Sequence, residues 1–102
     1  MDVTDRFVAL VIYPSTAAAQ RGQADALLRL SETTISSMPG FVSGRVFLSE
    51  DGESIVSLVE WRDRESFAQF RQTDAGRAAT QVASELHPHS YWLRPYRELD
   101  QS

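Results

Sequence analysis

Residues 7–13 read Phe-Val-Ala-Leu-Val-Ile-Tyr, a continuous apolar run rich in β-branched side chains and closed by Pro14. Such a run predicts a strand in the middle of a sheet, buried on both faces. Successive side chains of a strand point to opposite sides. Phe7, Ala9, Val11 and Tyr13 therefore share one face, and Val8, Leu10 and Ile12 the other. Any sheet holding this strand needs apolar cover on both faces, and the rest of the chain must supply it or leave a face open for a partner.

Ser15 and Thr16 can cap a helix after the strand. Ala17, Ala24, Leu27, Leu28, Ser31, Ile35 and Met38 recur at helical spacing and predict a helix to about Ser37. Gly22 is its weak point, at roughly 1 kcal/mol relative to Ala. Pro39-Gly40 ends it. Phe41–Ser49 and Glu53–Trp61 read as two strands joined through Asp51-Gly52, a strong hairpin signal. Asp63 can cap a second helix with Phe67 and Phe70 on its inner side. Thr73-Asp74 and Gly76 interrupt that helix. Ala75, Ala78, Ala79, Val82 and Leu86 form a further piece, His87-Pro88 stops it, and Ser90–Tyr96 reads as a last strand.

The predicted order is β-α-β-β-α-β, an α+β, ferredoxin-like arrangement: one four-stranded antiparallel sheet with its helices on one face. The other face stays apolar in the first strand, and Val56 and Leu58 add to it. An uncovered apolar sheet face is a binding surface. The expected cover is a second copy, sheet against sheet across a two-fold axis, giving a homodimer. A larger hetero-complex is the alternative.

Composition narrows the classes of function. The 102 residues are enough for one domain, 1–102, with a modest core. The net charge is −4 with no basic cluster, which argues against a nucleic-acid groove. No apolar run is long enough to span a bilayer and no signal peptide is evident, so no membrane partner is expected and the cytoplasm is the expected location. With no cysteine there is no disulfide framework and no thiolate nucleophile. All ten basic residues are Arg, so lysine Schiff-base chemistry is excluded. No glycine-rich dinucleotide loop and no clustered metal ligands occur, and no cofactor is expected.

Met38-Pro39-Gly40-Phe41-Val42-Ser43-Gly44 closes the first helix into the second strand. Asp51-Gly52 follows, then Ile55-Val56-Ser57-Leu58-Val59-Glu60-Trp61 and a helix starting near Asp63 and Phe67. Over nearly the whole chain this resembles the antibiotic biosynthesis monooxygenase family of dimeric α+β barrel proteins. The resemblance implies that fold, a dimer through the sheet face, and a small aromatic substrate held between sheet and helices. Members that oxidise aromatic polyketides use neither metal nor flavin. The substrate, as an electron-rich phenolate or enolate, reacts with dioxygen, and the protein holds it and stabilises the oxyanion. Those members typically carry Asn four residues before the Trp. Here Trp61 is kept and Ser57 stands at the Asn position. Haem-degrading members of the superfamily want a pocket His on the second helix, whereas His87 and His89 lie beyond it.

Two readings of function follow from the resemblance. One is a cofactor-independent monooxygenase acting on a polyketide-like phenol or anthrone. The other is a non-oxidative cyclase, isomerase or ligand-binding dimer using the same pocket, which the Ser57 departure favours. The candidate catalytic residues are Trp61, Ser57 and Arg45, and the candidate substrate-binding residues are Phe47, Phe67, Phe70, Tyr13 and His89. Trp61 and Ser57, four apart on one strand, share a face. They are a pocket wall and a donor, or else a core Trp beside a small Ser. Arg45 depends on the hairpin. A two-residue turn pairs it with Leu58 on the dimer side, where its natural role is an ion pair with Glu60 or the partner chain. A Gly-bulged turn pairs it with Ser57, on the pocket side. The resemblance favours the second register, and the expectation is an anion-stabilising Arg45 in the pocket. One of His87 and His89 is a candidate base if it faces the pocket; otherwise they are a helix-end His and an exposed or rim His. Tyr13, Tyr91, Trp92 and Tyr96 are aromatic surfaces with polar tips. Phe67 and Phe70 are the pocket's helix side, or simply helix–sheet core.

Overall fold

The computed structural model describes residues 5–97 and 99. The elements run β1 (Phe7–Pro14), α1 (Gln20–Thr34), β2 (Phe41–Leu48), β3 (Ser54–Trp61), α2 (Arg64–Gln72), α3 (Asp74–Ser84) and β4 (His89–Leu93). The four strands form one antiparallel sheet in the order β2-β3-β1-β4. The doubly apolar β1 is therefore a central strand, as its composition requires.

Several boundaries differ from the sequence expectation, three of them for a clear local reason. Thr16 caps a single turn, accepting from the Ala19 amide at 3.2 Å, and α1 itself begins at Gln20. The buried Gln20 fixes that start. Its Nε2 donates to the Ser49 and Ser54 carbonyls at 3.1 and 2.9 Å, tying the helix to the β2–β3 hairpin. β4 stops at Leu93, opposite Val8, rather than at Tyr96, because Pro95 has no amide to extend the ladder. The third helix piece begins where Thr73 ends α2 and caps α3, accepting from the Gly76 amide at 2.9 Å. Gly76 is obligatory there, because a Cβ would overlap the Phe70 carbonyl. Asp63 caps α2 as expected, accepting from the Ser66 amide at 2.8 Å and the Ser66 hydroxyl at 2.7 Å. Gly40 turns the chain into β2 at φ +88°, lying so close to Ser66 that only glycine fits.

The register fixes which residues share a face. On the helix side the rungs are Phe41–Trp61–Phe7, Gly44–Val59–Ala9–Trp92, Val46–Ser57–Val11–Ser90 and Leu48–Ile55–Tyr13. On the other side they are Arg45–Leu58–Leu10–Tyr91 and Phe47–Val56–Ile12–His89. The core splits accordingly. One buried cluster gathers Phe7, Ala9, Trp61, Phe70 and Ala79; another gathers Tyr13, Ala24, Leu27 and Ile55. Large side chains hold the two ends, while Gly44, Ala9, Ser57 and Ser90 between them are too small to fill the space under the helices. On the outer face none of the described elements covers Val8, Leu10, Ile12, Val56 and Leu58, and Phe47, Tyr91 and Leu93 are exposed there. Among the described residues no helix is long and apolar enough to cross a membrane.

Candidate active site

The gap between the two core clusters is a cavity of about 210 Å³. Its floor is the sheet: Ala9, Val11 and Tyr13 from β1, Ser57, Val59 and Trp61 from β3, and Ser90 and Trp92 from β4. Its roof is helical, with Leu27, Leu30, Ser31 and Ile35 near α1, Phe67, Phe70 and Arg71 from α2, and Ala79, Thr80, Ala83 and Ser84 from α3. A second hollow of about 170 Å³ beside it shares Ser31, Ile35, Ser57 and Val59 and reaches towards the β2 edge. Ser57 thus borders both spaces.

Trp61 is the most enclosed aromatic side chain, 1% exposed. Phe70 lies 5.4 Å away between ring centroids, Phe67 5.9 Å and Phe41 6.1 Å, the last two edge-on. These contacts fix the indole on three sides. Its Nε1 is fully buried and has no hydrogen-bond partner among the described residues. A buried donor left unpaired costs about 1–3 kcal/mol, so this N–H is a standing invitation to an acceptor. Ser57 lies on the same face, and its hydroxyl also has no partner among the described residues. Burial raises the Tyr13 pKa above its ordinary value, which keeps the phenol neutral and suits it to hydrogen bonding rather than to proton abstraction. Among the described residues the lining contains no carboxylate and no imidazole, and Arg71 is its one charged side chain. The chamber is apolar, with a few neutral donors, so it can position and polarise a ring system but offers no strong base.

Five of the eight candidate residues therefore meet in one place: Trp61, Ser57, Tyr13, Phe67 and Phe70 all line the cavity. Three face the wrong way. Arg45 pairs with Leu58, Phe47 with Val56, and His89 with Ile12, which places all three on outer-face rungs, away from Trp61, although Arg45, on the edge strand, also borders the second hollow with Ser57. The expected bulge at Asp51-Gly52 is absent. The loop has four residues between a closing Ser49–Ser54 pair, with the Ser49 amide donating to the Ser54 carbonyl at 3.1 Å. Asp51 organises it, accepting from the Ser49 hydroxyl at 2.6 Å and the Glu53 amide at 2.9 Å. An even loop keeps the simple register, and the bulge sits instead at the far end of β2, between Phe41 and Ser43. Glu60 is not available to Arg45 either, because it pairs with Arg6 at 2.5 Å. His87 occupies the helix-end turn at φ 54°, its amide bonded to the Ser84 carbonyl. Arg71 and Ser31 were not singled out as site residues from the sequence. The signal for Arg71 was its position one helical turn after Phe67, on the same side of α2.

Comparison with known proteins agrees with this geometry. The model of the antibiotic biosynthesis monooxygenase family matches residues 7–82, from the first residue of β1 into α3. The chain belongs to that family. A relative from Streptomyces glaucescens, tetracenomycin-F1 monooxygenase, is 36% identical over 90 residues, covering 88% of this chain and 71% of that protein. Among solved structures, the family member's fold matches SnoaB of Streptomyces nogalater, described as a cofactor-independent oxygenase, with a TM-score of 0.78 at 14% identity. That match covers 95% of this chain and 99% of SnoaB. It also matches the ActVA-Orf6 monooxygenase of Streptomyces coelicolor, solved with nanaomycin D, with a TM-score of 0.77 at 24% identity and coverage of 99% and 96%. The antibiotic biosynthesis monooxygenase fold of this chain is thus shared at nearly full length, and its cavity lies between the sheet and the helices of that fold.

Proposed function

We propose that this chain is a cofactor-independent monooxygenase that oxidises an aromatic, polyketide-like phenol or anthrone with dioxygen. The observation that carries the reading is the unpartnered Trp61 Nε1, buried in the wall of an apolar chamber beside the free Ser57 hydroxyl. These are donors suited to an oxygen atom of a flat substrate. Phe67 and Phe70 supply aromatic surface against which its rings can pack. An anthrone carries its own acidity, so the absence of a basic side chain in the lining is no obstacle. Proton loss to solvent water gives an enolate, and hydrogen bonds from Trp61 and Ser57 to its oxygen would favour that anion. The electron-rich carbon then reacts with dioxygen. One oxygen atom becomes the new quinone carbonyl, and the other leaves as water with the two hydrogens lost from that carbon. The S. glaucescens relative, named for the oxidation of tetracenomycin F1, and the SnoaB fold match support the reading.

The working unit in this proposal is a homodimer, with the open apolar sheet face covered by a second copy. A non-oxidative reading of the same cavity, as a cyclase or isomerase, is favoured by one feature, the short Ser57 side chain. Oxygen uptake decides between them. Purified protein with anthrone should consume one dioxygen per quinone formed, at a rate proportional to protein. Turnover of an aromatic precursor without oxygen consumption would sink the monooxygenase reading in favour of the other.

A further inference from the structure

Arg71 lies in the last turn of α2 and contributes the only charge to the cavity lining among the described residues. Its guanidinium carbon lies 5.7 Å from the centroid of Phe67 and 5.8 Å from that of Trp92, two rings of the same wall that are themselves 5.1 Å apart. Arg6, Arg62 and Arg77 each pair with a carboxylate; Arg71 has none within reach among the described residues, and donates no hydrogen bond there. Arg71, Thr80 and Ser84 also border a shallow outer hollow together with Arg77 and Gln81, which places Arg71 where the cavity meets the surface. A cation near a helix C-terminus is favourable in itself. That accounts for a positive charge in this turn, but not for one held over two cavity aromatics. These cation–π contacts run through the guanidinium carbon, and the N–H groups around it meet no hydrogen-bond acceptor among the described residues. A guanidinium with unspent donors at the mouth of an apolar aromatic chamber suits an oxyanion, and on a flat aromatic ligand the planar one is a carboxylate.

We infer that Arg71 is a specificity-determining residue that binds a carboxylate carried on the outer end of an aromatic substrate. The inference rests on the aromatic-substrate reading above and deepens it: the preferred ligand is an aromatic acid, bound rings inward.

Titration calorimetry with 9-anthracenecarboxylate and its neutral analogue 9-anthracenemethanol tests this. The wild-type chain should prefer the acid by about tenfold, the scale of one hydrogen bond to a charged group. Arg71→Gln should bring the ratio of the two affinities close to one. Arg71→Lys, which keeps the charge without the guanidinium, should fall between. Equal binding of the two compounds by the wild type, or a preference that survives in Arg71→Gln, overturns the inference while leaving the aromatic site standing. A parallel loss of both affinities in Arg71→Gln with the ratio kept also overturns it, since that marks a structural role. Failure of the wild type to bind either compound overturns the aromatic-site reading and this inference with it.

Discussion

Replacing Trp61 by Phe separates a binding role from a packing role, because the structure sets two stability effects against each other. The indole is 1% exposed and packed against Phe41, Phe67 and Phe70. Exchange for Phe removes roughly the volume of two methylenes, which in a core costs about 1–2 kcal/mol. It also removes an N–H that is buried without a partner, and relief of that burden returns about 1–3 kcal/mol. The two nearly cancel, so urea unfolding should give a stability within about 1 kcal/mol of the wild type, a melting shift of no more than about 8 °C for a domain of this size. Oxygen uptake with anthrone should behave differently, falling by about a hundredfold, the scale of one lost oxyanion donor. A stability loss beyond about 3 kcal/mol with oxygen uptake intact would refute the reasoning. It would mean that the indole is a core filler and that its N–H has no part in binding.

Arg45→Ala should leave oxygen uptake by the assembled protein unchanged and shift the mass seen by light scattering on dilution, because Arg45 shares the outer rung with Leu58, Leu10 and Tyr91. Gly22→Ala should raise stability by up to about 1 kcal/mol in urea unfolding, since Gly22 is exposed within α1 and nothing stands where its Cβ would go. Asp63 has its pKa lowered, first by the hydrogen bonds from the Ser66 hydroxyl and amide. Its contribution is therefore full above the ordinary aspartate range, about 3.9, and is lost as the pH falls through the lower folded-state value. The stability gap between wild type and Asp63→Ala should accordingly be constant near neutrality and close below about pH 4.

The strand order was legible because β1 is apolar on both sides and Asp-Gly, Asp63 and Thr73 mark their own turns and caps. The pairing of Ser57 with Trp61 on one face was legible too, since two residues four apart on a regular strand cannot do otherwise. Arg45, Phe47 and His89 were not. The side taken by Arg45 and Phe47 depends on whether the hairpin loop holds an odd or even number of residues. That parity is set by Ser49 and Asp51 side chains closing on backbone groups of Glu53 and Ser54, contacts that the Asp51-Gly52 pair does not announce. His89 depends on how β4 registers against β1, where Val11 opposes Ser90 rather than His89. Arg71 was missed for another reason. An arginine on a short helix reads as a solvated charge until β4 brings Trp92 beneath it.

The divided core carries a consequence for how a ligand would be recognised. Folding brings the Trp61 and Tyr13 clusters together without closing the space between them, so the chain's own side chains leave contact energy there that a guest can supply. Whatever fills the chamber binds the folded state and not the unfolded one, and mass action then makes the melting temperature a gauge of occupancy. A compound present at a hundred times its dissociation constant adds about 2.7 kcal/mol. For a chain of this length that is a rise of more than about 10 °C. The missing packing thus doubles as a reporter: the natural substrate is the molecule for which this protein melts late, and it can be sought by heat before any reaction is known.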